Sequence, residues 1–407
     1  MVKKSTLQEV ITFQKNKIEN SDLGFQRGLI DELKYPLDSF ALIISGIRRC
    51  GKSTLLHQYI VSNVKETYIY LNFDSAKLYT FELEDFELID EIANEIKANF
   101  LIFDEIQIIE GWELYVRQKL DEGFNVVITG SNASLLSKEL GTKLTGRHIT
   151  KELFPFSYKE FCDFKKIETT SDSFTLFLNQ GGFPLFLKLN DIDLHLALID
   201  DIIHRDIAVR YGIRDVKSLK HLLIFLATNV ANLISATKIK QYISIKSTAT
   251  VLEFFNYFEQ SYLIQLMPKF SYSHKVQLVN PRKIYFIDNA LMQSITPSFS
   301  KDMGRKLENT VFWELRRRNK TLYYFNENNK ECDFVVCSNL EVEEVIQVCY
   351  DLNLDNQKRE INGLLDAMNY FNLNIGTIIT MNQEDVILQN GKRITVIPAF
   401  KYFFHLV

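Results

Sequence analysis

The 407-residue sequence is poor in the residues that make chains extended or loop-rich. It holds 7 prolines and 16 glycines, too few for long disordered linkers or a collagen-like chain. Cysteine is scarce as well. The five, at positions 50, 162, 332, 337 and 349, form no CxxC pair and no spacing suited to zinc or a disulfide framework, so reduced thiols in a cytoplasmic protein are expected. No apolar stretch approaches the ~20 residues of a membrane helix. Runs such as Leu222–Ala227 are short, and the N-terminal MVKKSTLQEV lacks the apolar centre of a signal peptide. Net positive charge is also missing: 47 basic against 51 acidic residues leave −4, unlike a chain built only to coat nucleic acid. What is plentiful is apolar material. A hydrophobic fraction of 46% supports large cores, and at roughly 100–200 residues per domain the length allows two to four of them.

Short apolar runs at Ala41–Ser45, Tyr68–Phe73, Leu101–Phe103 and Val126–Thr129 alternate with helical or polar stretches. This predicts buried parallel strands in a doubly wound α/β sheet. The first run leads into Gly46-Ile47-Arg48-Arg49-Cys50-Gly51-Lys52-Ser53, which fits GxxxxGK[ST] and opens a helix near Lys52. Glycines let the backbone curl so that its N–H groups face phosphate oxygens, and the helix N-terminus adds positive potential. ATP and Mg²⁺ are the expected cofactors. Residues Gly46 to Thr54 form the cradle, Lys52 reaches the β- and γ-phosphates, and the Ser53 hydroxyl ligates Mg²⁺. The run Leu101–Glu105 ends in two acids, of which Asp104 is assigned to the metal through water and Glu105 to the base that activates the attacking water. Val126–Thr129 runs into Gly130-Ser131-Asn132, where Ser131 is expected to sense the γ-phosphate with Asn132 in reserve; a helix cap is the alternative. Arg147 is either a surface arginine or one delivered to the γ-phosphate of a neighbouring subunit.

The run GIRRCGKSTLL, the LIFDEIQ strand, TGSN, LTGR and ELFPFSYKEF resemble those of an AAA-type ATPase. The likeness is to a bacterial and archaeal group in which the AAA domain precedes a C-terminal domain of unknown function (number 4143), and it extends to GGFP (181–184), KIYFIDNAL (283–291) and LENTVFWELRRR (307–318). It implies an α/β multidomain chain: an AAA-type P-loop core at 1–160, a helical lid at 161–230, a winged helix at 231–295 and a nuclease-like domain at 300–407. It also implies a homo-oligomer, supports Ser131 as sensor, and supports Arg147 as a finger acting across a subunit interface.

Residues 231–290 carry seven basic side chains (Lys238, Lys240, Lys246, Lys269, Lys275, Arg282, Lys283) against three acids, whereas 71–110 carry eleven acids and two lysines. Two helical patterns, Ala236–Ile243 and Thr248–Gln260, precede strands at Tyr262–Leu266 and Lys283–Ile287, with a polar turn around Ser271–Lys275. That is a winged-helix order. It suggests DNA contact with Lys246 and Lys275 near phosphates, although Thr248–Gln260 itself has no Lys or Arg; a protein contact is the alternative. Further on, a helix Lys306–Arg318 with a Leu307/Val311/Leu315 stripe is followed by strands at Thr321–Phe325, Glu331–Cys337 and Val345–Tyr350. Alternation puts Glu331, Asp333 and Val335 on one face. The order resembles the PD-(D/E)XK nuclease fold, and by that resemblance Glu308, Asp333 and Gln347 occupy a second metal site. The departure is Cys349 where that pattern has lysine, since a thiol is mostly neutral at pH 7 and cannot stabilise developing negative charge; Lys358, on the following helix, could in principle reach across. The expected function is ATP hydrolysis coupled to DNA contact, with a nucleotide-dependent protein-partner switch or a metal-dependent nuclease as alternatives.

Overall fold

The computed structural model describes residues 1–20, 22–33, 39–136, 138–243, 245, 247–296, 302–318, 321–327, 330–338 and 341–404, and in 133–140 only the side chains of Ala133 and Leu135. Lys246 therefore lies outside the described residues. The chain divides into two compact units, Met1–Phe154 and Pro155–Val407. Among the described residues no helix is long and apolar enough to cross a membrane.

The first unit is built on five parallel strands: β1 Ala41–Ser45, β2 Tyr68–Asn72, β3 Phe100–Asp104, β4 Asn125–Gly130 and β5 His148–Glu152, in the order β2-β3-β4-β1-β5. Every residue of β1 and β3 is buried, which is why these strands read as unbroken apolar runs: helices cover both faces, so neither side can be polar. One covering helix, Lys4–Glu19, buries Leu7, Val10 and Ile11 at helical spacing. Another, Phe86–Ile96, gives the acidic stretch after Tyr79 a structural role. It turns Phe86, Ile89, Ile92 and Ala93 inward, and Phe86 stacks on Tyr115. Glu87, Glu91 and Glu95 form its solvated side, whereas Asp85, just before it, is buried and accepts from Val2 N at 3.0 Å.

The second unit begins with helices, among them Tyr158–Lys165 and Ser171–Gln180, each opened by a capping box. The helix Asp193–Asp201 continues as a π-helix over Ile202–Val209, a rare geometry. The GGFP loop is a joint. Gly181 has φ +66 and a Cβ there would fall 2.3 Å from an Asp288 carboxylate oxygen, while Gly182 N donates to Asp288 Oδ2 at 2.7 Å. The other Asp288 oxygen caps the helix Asn289–Ile295.

A helix at Val216–Thr228 is followed by β6 Leu233–Ile234, helices Ala236–Tyr242 and Thr248–Gln260, β7 Ile264–Met267, a short helix His274–Val279 and β8 Arg282–Phe286. The strands pair antiparallel in the order β6-β8-β7. The expected polar turn at Ser271–Lys275 is in fact the start of the His274–Val279 helix. That helix buries no side chain, so it left no apolar periodicity to read.

Then come a helix Met303–Arg316 and a six-stranded sheet: β9 Thr321–Glu327, β10 Lys330–Ser338, β11 Glu341–Val348, β12 Ile375–Thr380, β13 Asp385–Gln389 and β14 Lys392–Pro398, in the order β13-β14-β12-β11-β10-β9. β9, β10 and β11 form an antiparallel meander, and the helix Gln357–Tyr370 carries the chain to β12, parallel to β11. Leu307, Val311 and Leu315 are buried as the stripe predicts. Val335 does not share a face with Asp333. The β9/β10 register shifts between Cys332 and Val335, and Val335 joins Cys332, Cys337 and Ile361 in one core. One irregular residue reverses every side chain beyond it.

Candidate functional site

In the first unit the phosphate loop hangs from the C-terminal end of β1 and runs into the helix Lys52–Asn63. The turn is tight at both ends. A Cβ on Gly46 would fall 2.1 Å from the Leu153 carbonyl oxygen, and Gly51, at φ +105, caps the helix. Ile47 and Cys50 are buried, so both contribute backbone, and Cys50 Sγ donates to Leu153 O at 3.3 Å. Burial pushes the Cys50 thiol up, which keeps it protonated. The buried Arg27 guanidinium donates to Cys50 O and to Phe154 O, each at 2.8 Å, and so fastens the loop to the chain leaving β5.

Lys52 is 5% exposed; its ammonium donates to Ile47 O at 3.1 Å and lies 3.7 Å from Glu105 Oε1. Asp104 ends β3 and is fully buried. Its Oδ1 accepts from Thr129 Oγ1, and its Oδ2 from Tyr70 OH at 3.1 Å and Asn72 Nδ2 at 2.8 Å. The Ser53 hydroxyl is a further partner of Asp104. Burial and the neighbouring Glu105 charge push the Asp104 carboxyl up. Glu105 adopts the left-handed conformation at φ +56, uncommon for a side chain larger than glycine. Burial opposes its charge, but Lys52, the Gln107 amide, Arg48 and Ser131 outweigh burial and hold its carboxyl below the usual range.

Lys52, Ser53, Asp104, Glu105 and Ser131 thus converge at one edge of the sheet. Ser131 accepts from the Gln107 amide at 3.4 Å, and the same amide donates to Glu105. Asn132 contributes its carbonyl, which accepts from Ser45 Oγ at 3.0 Å. Arg147 is not in this group. Its carbonyl pairs with Ala41 N at the far end of β1, roughly 16 Å from the loop at ~3.3 Å per strand residue. Its guanidinium pairs with Asp121 at 2.8 Å. It is out of reach of its own chain's loop.

Sequence reasoning missed Arg27, Tyr70, Asn72, Gln107 and Thr129. Thr129 is the most informative: one hydroxyl donates to Asp104 and accepts from Glu105 N at 3.2 Å, fixing both acids. Tyr70 and Asn72 did carry a signal, two polar groups at period two near the end of an apolar strand. Arg27 carried none.

In the second unit Glu308, Asp333 and Gln347 also come together, around a group the sequence reading placed elsewhere. The Lys283 ammonium, 3% exposed, lies 2.7 Å from Asp333 Oδ1, 2.8 Å from Glu331 Oε1 and 3.2 Å from Glu308 Oε1. Burial opposes its charge, but Asp333, Glu308 and Glu331 hold its pKa well above the usual value. Burial pushes the Glu308 carboxyl up to about 7. Gln347 Oε1 accepts from Asp333 N at 3.2 Å and Nε2 donates to Glu360 Oε2 at 2.6 Å. Cys349 is buried, burial pushing its thiol up to about 11, and Lys358 is exposed. Among the described residues no group of three or more His, Cys, Asp or Glu side chains is disposed to hold a metal ion.

Residues 38–162 match the family described as AAA domain. With the parallel sheet and phosphate loop, this makes the first unit an AAA-type P-loop domain of the nucleotide-binding ATPase class. Residues 171–302 match a domain of unknown function, DUF8612. This corrects the resemblance, which implied a differently numbered domain placed at the C-terminus. An uncharacterized protein of Methanocaldococcus jannaschii is 35% identical, the alignment covering 98% of this chain and 96% of that one. An uncharacterized protein of Haemophilus influenzae is 32% identical, covering 80% of this chain and 86% of that one. The chain belongs to the family of these proteins. Among solved structures, AMPPCP-bound DnaA from Aquifex aeolicus aligns at a TM-score of 0.29 and 14% identity, over 62% of this chain and 88% of that chain, a likeness too slight to bear on fold or function.

Proposed function

We propose that the first unit binds ATP with Mg²⁺ and hydrolyses it. The observation that carries this is the meeting of a buried lysine, a serine and two acids at the open edge of one parallel sheet. The loop N–H groups and Lys52 take the phosphates. The residues fit Mg²⁺: Ser53 and Asp104 already touch through a hydrogen bond, and both offer oxygen. Bound there, the ion would offset charge on the phosphate oxygens. Glu105, ionised and held by Gln107, orients the attacking water and takes its proton. Ser131 senses the γ-phosphate. Arg147, half-buried and remote from its own loop, completes the site of a neighbouring subunit, so the working form is a homo-oligomer. Phosphate release by the purified protein tests this reading. Lys52→Ala should lose ATP binding, and Glu105→Gln should keep binding and lose turnover by about 10²–10⁴. Parent-like hydrolysis by both variants would place the site elsewhere.

For the output we assign residues 231–295 to a winged helix that contacts DNA and 300–407 to a nuclease-like domain that does not cleave it. The order helix, strand, two helices, strand, short helix, strand supports the first assignment, and the helix, antiparallel meander, helix, parallel strand order supports the second. Of the seven basic side chains, Lys238, Lys240 and Lys275 are exposed, Lys269 pairs with Glu327, and Lys283 is buried among acids. One observation favours the protein-partner reading. The exposed side chains Leu252, Leu278 and Val279 line a groove of about 440 Å³ beside the Thr248–Gln260 helix, together with Phe255 and Leu266. Retention on duplex DNA that falls steeply with added salt supports DNA contact; a flat response or no retention supports the partner.

A further inference from the structure

The nuclease-like cluster has the acids of a cation site and an unexpected occupant. Lys283 comes from β8, 25 residues before Glu308 and 50 before Asp333. An ammonium has three N–H donors and no acceptor, and here three carboxylates lie within 3.2 Å of Nζ. Tyr285, two residues on and so on the same strand face, donates to Glu308 Oε1 at 2.8 Å, and its ring stacks on Phe312 at a centroid separation of 4.0 Å. The second Asp333 oxygen accepts from Val348 N at 2.9 Å. The Gln347 amide is committed at both ends, to Asp333 N and to Glu360.

These groups do not fit a divalent ion. Mg²⁺ demands near-octahedral oxygen ligands at ~2.0–2.1 Å and keeps several waters. The point from which Glu308, Glu331 and Asp333 can be reached together is already filled by a positive charge on a tether. An incoming ion would meet that charge at a few ångströms in a dry setting, where repulsion is strongly felt.

We propose that Lys283 is a built-in cation that stands in the place of the metal, turning a nuclease-like centre into a metal-free clamp that holds β8 to β10 and to the Met303–Arg316 helix. The clamp is independent of the ATPase reading. It accounts for the lack of a catalytic lysine at position 349: with no metal-bound water to position, that place is free to be apolar core.

The test is Mn²⁺ uptake by the full-length, nucleotide-free protein, followed by the electron paramagnetic resonance signal of free Mn²⁺. In the parent, uptake should be unchanged by Asp333→Asn. Lys283→Ala should take up one additional Mn²⁺ per chain, and Asp333→Asn added to it should abolish that gain. Parent uptake that drops by one ion in Asp333→Asn would overturn the proposal, as would a folded Lys283→Ala that gains nothing. Should Lys283→Ala fail to fold, Lys283→Gln retains hydrogen-bond donors. Mn²⁺ should then raise its melting temperature while leaving that of Lys283→Gln/Asp333→Asn unmoved, and an equal response from both would overturn the clamp.

Discussion

Thr129→Val is the sharpest test of how the two acids are held. Valine keeps the shape and removes the hydroxyl. In the folded chain that hydroxyl donates to the buried Asp104 carboxylate and accepts from Glu105 N. A hydrogen bond to a charged group contributes about 1.5–3 kcal/mol, and an orphaned buried N–H costs about 1–3 kcal/mol. The two losses share one network and do not simply add, so about 3 kcal/mol is expected. Urea unfolding followed through Trp112, which is buried in this unit, reads that loss directly. Stability alone does not separate support from function, so the second measurement is turnover against Mg²⁺ concentration. Thr129→Val should need more Mg²⁺ for half-maximal turnover, and Thr129→Ser, which restores the hydroxyl, should return toward the parent. A Thr129→Val protein within about 0.5 kcal/mol of the parent, the ordinary range for surface changes, and with the same Mg²⁺ dependence, would refute the account.

Two further outcomes follow from the first unit. Arg147→Ala should hydrolyse ATP slowly on its own, and mixing it with Glu105→Gln should recover part of the activity, because each supplies what the other lacks across an interface; no recovery at any ratio argues for a surface arginine paired with Asp121. His57 is half-buried beside Tyr70 OH at 3.2 Å, and that burial, with Lys17 adding to it, lowers its pKa to about 4. The unfolded chain therefore binds more protons between pH 6.5 and about 4, and stability falls as pH drops through that window, on the order of 2–3 kcal/mol in all. His57→Gln should flatten that slope in unfolding titrations, and an unchanged slope would place the proton uptake elsewhere.

The candidate site was legible as a cluster because its determinants are contiguous. The loop spans Gly46 to Thr54, Asp104 and Glu105 are adjacent, and each group follows an apolar strand whose end fixes its position. What escaped depends on distant pairings. Arg27 is clamped to carbonyls 23 and 127 residues away, and nothing near position 27 announces either. Thr129 was visible as a strand end, but its two bonds come from β3 being its neighbour in the sheet. Val335 was assigned to the wrong face because strand alternation assumes an unbroken register. Lys283 was counted with a basic surface because charge sums carry no burial information, and only the folded chain shows it surrounded by acids.

Arg27 has one more consequence. Phe154 is the last residue of the first unit, and the peptide that follows begins the second. A single planar cation thus grips both the cradle in which a triphosphate would rest and the final carbonyl before the crossing. A displacement of the cradle by a fraction of an ångström would be felt at that outgoing bond without any element in between. One side chain holding two carbonyls at once thereby ties the turn at residue 50 to the chain leaving β5.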